Sequence, residues 1–138
     1  MNANAILLPV AAQLILMVIT AILTVNARRR GALAGDIKMS TFRGMNLQGV
    51  DDKYVTPGNS FNNQFQLPVV FMLFTLFALQ LELVDSLFII GCWVFVALRY
   101  IHAVIHLTYN NVMHRLIAFA SGAIVLFACW ARLIWLAQ

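Results

Sequence analysis

Acidic side chains are nearly missing: the 138 residues hold five Asp and Glu, and charged residues of both signs reach only 10%. So little charge, against 62% hydrophobic residues and a mean hydropathy of +0.86, cannot clothe a water-soluble domain of this size. The shortage excludes much chemistry as well. No Ser-His-carboxylate set and no phosphate-cradling glycine loop can be assembled. The two cysteines, Cys92 and Cys129, sit inside apolar runs with no CxxC and no metal-ligand spacing, so they read as small buried hydrophobes. The N-terminus lacks a basic leader ahead of its apolar run, which excludes a cleavable signal. Nucleic acid is excluded too. Six of the nine Lys and Arg fall between Arg28 and Lys53, with no basic stripe interleaved with aromatics.

What is present is apolar length. An integral membrane protein follows, made of one domain with spans at about 5–26, 61–83, 87–107 and 116–136. Pro9 falls in the first turns of the first span, where a missing N–H matters least. Arg28, Arg29 and Arg30 stop that span and mark its end as cytoplasmic, which puts both termini outside. Residues from about 27 to 60 read as a polar cytoplasmic loop of mixed charge, either a lid or binding loop by its length or simply a solvated surface. Thr56-Pro57-Gly58-Asn59 reads as a turn. Asn63 and Gln66 lie i, i+3 on one face of the next helix, and Pro68 predicts a kink beside them. Ala118 and Gly122 form a small-xxx-small pair for close helix approach. Trp130, Arg132 and Trp135 suit the outer interface.

The stretch Trp93–Arg115 carries the functional signal. At ~100° per residue, Arg99, His106 and Asn110 fall within about 20° of one another, with His102 about 60° to one side. They form one polar stripe, ~16 Å long, on an otherwise apolar helix. Ionisable groups at bilayer depth are costly and mark sites. Glu82 and Asp85 lie at the opposite membrane face, so Arg99 has no anionic partner in its own chain. A bound anion or water must satisfy it. Arg115 joins it from the start of the fourth span, where the helix N-terminus adds positive potential. Two arginines, the histidines and the second-span amides describe an anion-accepting pocket at the inner membrane boundary. His102 and His106 are also spaced i, i+4 and leave a metal or haem reading open, although a third ligand is wanting.

FNNQFQLPVVF (Phe61–Phe71) followed by LRYIHAVIHLTYNNVMHR (Leu98–Arg115) resembles the MAPEG family, the membrane-associated proteins in eicosanoid and glutathione metabolism. It is most similar to the bacterial branch, whose pattern is N-x-x-E-x-P-V-x-F and then R-x-x-H-x-x-x-H. The resemblance implies an all-α, four-helix homotrimer in the bacterial inner membrane, with a cytoplasm-facing site between subunits. It implies glutathione as co-substrate, in transfer to or peroxidase action on a lipophilic small molecule. By resemblance Arg99 and His102 face the tripeptide, Arg115 stabilises the thiolate, and Asn63 matches the second-helix asparagine. Gln66 stands where the family has glutamate, so its contact to the glutathione amino group loses charge. His106 stands where animal members carry tyrosine, and Leu116 and Phe119 replace residues that are polar in some of them. One branch binds lipid without catalysis, and that non-catalytic, scaffold-like alternative stays beside the enzymatic one.

Overall fold

The computed structural model describes residues 3–44 and 46–138 as an all-helical chain. Among the described residues, four helical stretches are long and apolar enough to cross a membrane: Leu7–Leu33, Asp52–Gln80, Ser86–Leu107 and Val112–Leu136. Their outer faces, rich in exposed Leu, Ile, Val and Phe, are the surface a bilayer would cover.

Helix α1 (Leu7–Leu33) runs past its arginine triplet and ends where Gly35 adopts φ +78°, a left-handed conformation open to glycine. The Ile37 N–H then bonds the Gly31 carbonyl at 3.1 Å and folds the chain back. After a short helix α2 (Met39–Gly44), α3 (Asp52–Asn62) starts at Asp51, whose carboxylate accepts from the Lys53 N–H at 3.0 Å. The segment expected to be a loop as far as residue 60 is therefore largely helical. The expected turn at Thr56–Asn59 is wrong: Pro57 and Gly58 lie inside α3. Docking on α1 overrides their local turn preference, because Tyr54 and Gly58, one turn apart, face Gly31, Thr24 and Arg28 of α1.

A 3-10 turn, Asn63–Phe65, and a non-helical Gln66 (φ −102°, ψ −112°) separate α3 from α4 (Leu67–Gln80). The interruption predicted beside Pro68 exists, but it lies just before the proline, which occupies the first turn of α4 where its missing N–H costs least. Asp85 then caps α5 (Ser86–Leu107), accepting from the Phe88 N–H at 2.9 Å. The link to α6 (Val112–Leu136) is tight. Asn110 takes φ +48°, its N–H bonds the Ile105 carbonyl at 2.8 Å, and Asn111 caps α6 by accepting from the His114 N–H at 3.0 Å. His114 and Arg115, expected in the connection, are thus the first turn of α6.

Helix α5 is the most enclosed. Its Phe88, Cys92, Phe95 and Val96 meet Phe71, Phe74 and Ala78 of α4 and Leu126 and Leu133 of α6 in one apolar core. Phe71 stacks on Phe95 with ring centroids 4.8 Å apart, and Phe74 meets Phe88 edge-on at 5.3 Å. Gly122 brings α6 onto α5: a Cβ there would sit 3.8 Å from Leu98 and Phe95. Polar groups join α1 to the rest. Buried Gln13 donates to Gln64 at 3.0 Å, and Tyr100 donates its hydroxyl to the Ala12 carbonyl at 2.8 Å.

Candidate functional site

The stripe on α5 folds inward. Arg99, His102 and His106 are buried, at 1%, 4% and 3% exposure. Asn110, placed on the same stripe by periodicity, leaves it. The helix ends at Thr108, and Asn110 turns out to solvent in its left-handed conformation.

Each buried member is held by backbone or by an amide. One terminal nitrogen of Arg99 donates to the Asn63 carbonyl at 3.0 Å. That carbonyl opens the 3-10 turn Asn63–Phe65, beyond which the helical ladder breaks at Gln66. The imidazole Nδ1 of His102 donates to the carbonyl of Arg115 at 3.1 Å, which ties α5 to the first turn of α6. The Asn63 amide lies 3.4 Å from His106 Nδ1, a long contact. Arg115, half-buried, donates to the Asn110 side-chain oxygen at 2.6 Å.

These partners leave groups over. Arg99 Nε and its other terminal nitrogen, and His102 Nε2, are buried with no hydrogen-bond partner. The Phe119 ring is their cover, 5.9 Å from the Arg99 guanidinium carbon and 6.0 Å from the His102 ring. A cation over an aromatic face gains about 0.5–2 kcal/mol. Each buried unsatisfied donor costs about 1–3 kcal/mol, and more when charged. The cover does not balance the deficit, and an anion would.

Beside Arg99 lies an open cleft of about 230 Å³ lined by Asn63, His102, Val112, Arg115, Leu116 and Phe119. Its walls are half cationic or polar and half apolar. No carboxylate lines it. The two ion pairs among the described residues lie elsewhere: Lys53 with Asp51, and Arg132 with Asp85 at the far end of the bundle.

A second cleft, of about 390 Å³, lies on the other side of His106 and is lined also by Asp52, Lys53, Thr56, Pro57 and Asn110. Sequence reasoning missed it, because the segment had been read as loop and turn. The Asp51 cap ahead of the Tyr54, Gly58 face was the available signal.

The structure therefore gathers Asn63, His102 and Arg115 around one cleft, with Arg99 behind Phe119 and His106 between the two clefts. Gln66 stands apart: it is exposed, lines neither cleft, and makes no capping bond at the start of α4. His102 and His106 face each other with ring centroids 5.8 Å apart, and among the described residues no three His, Cys, Asp or Glu converge to hold a metal ion.

A sequence profile of the MAPEG family matches residues 6–135, nearly the whole chain and every residue of the cleft. No curated protein and no solved structure gives a significant match. With four helices able to cross a membrane and a family match that runs through all of them, the chain is an integral, multi-pass membrane protein that belongs to the MAPEG family.

Proposed function

We propose that the protein binds glutathione in the Asn63–His102–Arg115 cleft and uses its thiolate on a lipophilic substrate, as a transferase or peroxidase. The observation that carries this reading is the buried Arg99, with two unpartnered nitrogens beside the unpartnered Nε2 of His102 and no carboxylate lining the cleft. Glutathione brings two carboxylates. One satisfies the free donors of Arg99, His102 Nε2 accepts an N–H of the tripeptide, and the Asn63 amide holds its backbone. His106 and the partner subunit of a homotrimer complete the pocket, which opens to the cytoplasm, and the exposed Gln66 meets the tripeptide only at the subunit boundary. Both termini lie outside the bacterial inner membrane, since the basic segment from Arg28 to Lys53 stays inside.

Arg115 supplies the chemistry. A cation beside the sulfur favours the charged form, so the thiol gives its proton to solvent at the open mouth and the thiolate persists at neutral pH. In transfer, the sulfur forms a bond to an electrophilic carbon, and the displaced electron pair leaves on the substrate and takes a proton from water. In peroxide reduction, the sulfur takes one peroxide oxygen and the alcohol departs. A second glutathione then displaces water to give the disulfide, so two thiols are oxidised for each hydroperoxide reduced. Val112 and Leu116 offer the apolar wall for the lipophilic partner.

A non-catalytic lipid-binding role draws on one observation, an almost wholly apolar groove of about 290 Å³ between Gly91, Val94, Val125 and Cys129. Titration calorimetry of glutathione into the purified protein in lipid nanodiscs separates the two readings. Saturable heat at or below millimolar glutathione is expected. No heat at several millimolar overturns the glutathione reading and leaves the lipid-binding one.

A further inference from the structure

Arg99 is the largest side chain among the described residues with less than 2% exposure, yet it does not line the cleft beside it. The ring of Phe119 stands between them. Phe119 is half-buried, forms part of the cleft wall, and packs against both Arg99 and His102. No hydrogen bond holds that ring, whereas the helix that bears it is fixed on α5 at Ala118 and Gly122. A side-chain rotation is therefore the smallest motion that uncovers the guanidinium. On the same face of α6 its neighbours one turn on, Gly122 and Ala123, are small and leave the ring room to swing.

We propose that Phe119 is the gate of the buried cation: its ring seals Arg99 from the cleft and must turn aside before an anionic group can reach Nε and Nη1. The residue thereby decides what gets in. A carboxylate carried on a flexible chain passes, because it gains two charge-assisted hydrogen bonds when the ring leaves. A neutral molecule gains nothing by displacing it. Once aside, the ring joins Val112 and Leu116 as part of the apolar wall. The glutathione reading supplies the anion, but the gate stands on the geometry alone.

The test reads Arg99 directly. The purified protein is treated with phenylglyoxal and the modification of each arginine is followed by peptide mass spectrometry, with exposed Arg29 and Arg30 as internal references. In the unaltered protein Arg99 is expected to react at least about tenfold more slowly than the references, since a sealed group reacts only through the open state. Phe119→Ala should bring Arg99 to within about threefold of them. Phe119→Leu, which keeps apolar bulk should the alanine variant fold poorly, should fall between, and Phe119→Trp should slow the reaction further. Equal Arg99 rates in the unaltered, leucine and tryptophan proteins would overturn the gate. Glutathione added to the leucine variant tests the other reading separately. Protection of Arg99 supports it, and no protection sinks glutathione while leaving the gate intact.

Discussion

His102 Nδ1 lies 3.1 Å from the carbonyl oxygen of Arg115, and that one bond does two jobs. It pins the start of α6 to the middle of α5, and it fixes the tautomer. With Nδ1 carrying the proton that the carbonyl accepts, Nε2 of the neutral ring is left as an acceptor, and it is the atom without a partner. The two jobs can be separated. His102→Ala removes both and is expected to lower stability by about 1 kcal/mol, the net worth of such a bond, and to abolish glutathione binding. His102→Asn keeps an N–H near Nδ1 and loses Nε2. Thermal unfolding should show the asparagine protein near the parent, while calorimetry shows binding lost in both. An asparagine variant that binds normally removes Nε2 from the site.

Arg115 makes its own test. Its side chain, which lines the cleft, reaches back to the exposed Asn110 and is tethered there. Arg115→Ala should abolish turnover and leave the helical content and the assembly unchanged. Each unit by which the cation lowers the thiol pKa is a tenfold change in thiolate, so a loss of at least about tenfold is expected from that term alone. Asn110→Gly keeps the left-handed backbone and removes only the tether, and should give an intermediate loss. An Arg115→Ala protein that turns over at the parent rate ends the mechanism.

Gln66 tests what the missing charge means. The side chain is exposed at the start of α4 and makes no capping bond. Gln66→Glu puts a carboxylate at a helix N-terminus, worth about 0.3–1 kcal/mol, and offers an ion pair to the glutathione ammonium. Exposed pairs contribute about 0.2–1 kcal/mol. The variant should therefore melt slightly higher and bind glutathione about two- to fivefold more tightly. Weaker binding would show that the tripeptide lies elsewhere.

The sequence carried the buried stripe because helical periodicity is a local property: Arg99, His102 and His106 share a face whatever surrounds them. It carried the break near Pro68 for the same reason, a ring with no N–H. It did not carry α3. Pro57-Gly58 signals a turn locally, and only the close packing of α1 against Tyr54 and Gly58 reverses that. Nor did it show Phe119 over Arg99, which depends on how α6 seats on α5. The Arg132–Asp85 pair spans 47 residues, a distance over which composition says nothing.

Two glycines separate packing from propensity. A Cβ on Gly31 would lie 2.5 and 2.8 Å from Ile37 side-chain carbons and 3.2 Å from the Tyr54 ring. A Cβ on Gly58 would meet Arg28 at 3.4 Å and Thr24 at 3.7 Å, ordinary contacts. Gly31→Ala must push Ile37 and Tyr54 off α1 and should destabilise by about 1–3 kcal/mol. Gly58→Ala removes backbone freedom inside a helix and should stabilise by about 0.5–1 kcal/mol. Melting temperatures that move in opposite directions are the expected result. A destabilised Gly58→Ala would mean that α1 and α3 sit closer than described.

The far end of the bundle offers a test by pH. Asp85 caps α5 through the Phe88 N–H, and both its oxygens meet the Arg132 guanidinium, which also stacks over the Phe88 ring at 4.4 Å. Burial alone would raise the Asp85 pKa, but the Phe88 N–H and Arg132 outweigh it and hold the carboxyl below its ordinary value of 3.8. The folded pKa lies beneath the unfolded one, so the clamp's contribution is full above about pH 4 and is lost as pH falls through the folded value. Asp85→Asn lacks the charge at every pH. The melting temperature of the parent should exceed that of the asparagine protein by a constant margin from pH 7 down to about pH 4, and the margin should shrink only below 3.8. A gap that begins to close above pH 5 would mean that the carboxyl is not held ionised by α6. High salt should narrow the gap, since the partly exposed ion pair is screened while asparagine keeps the capping bond in both proteins.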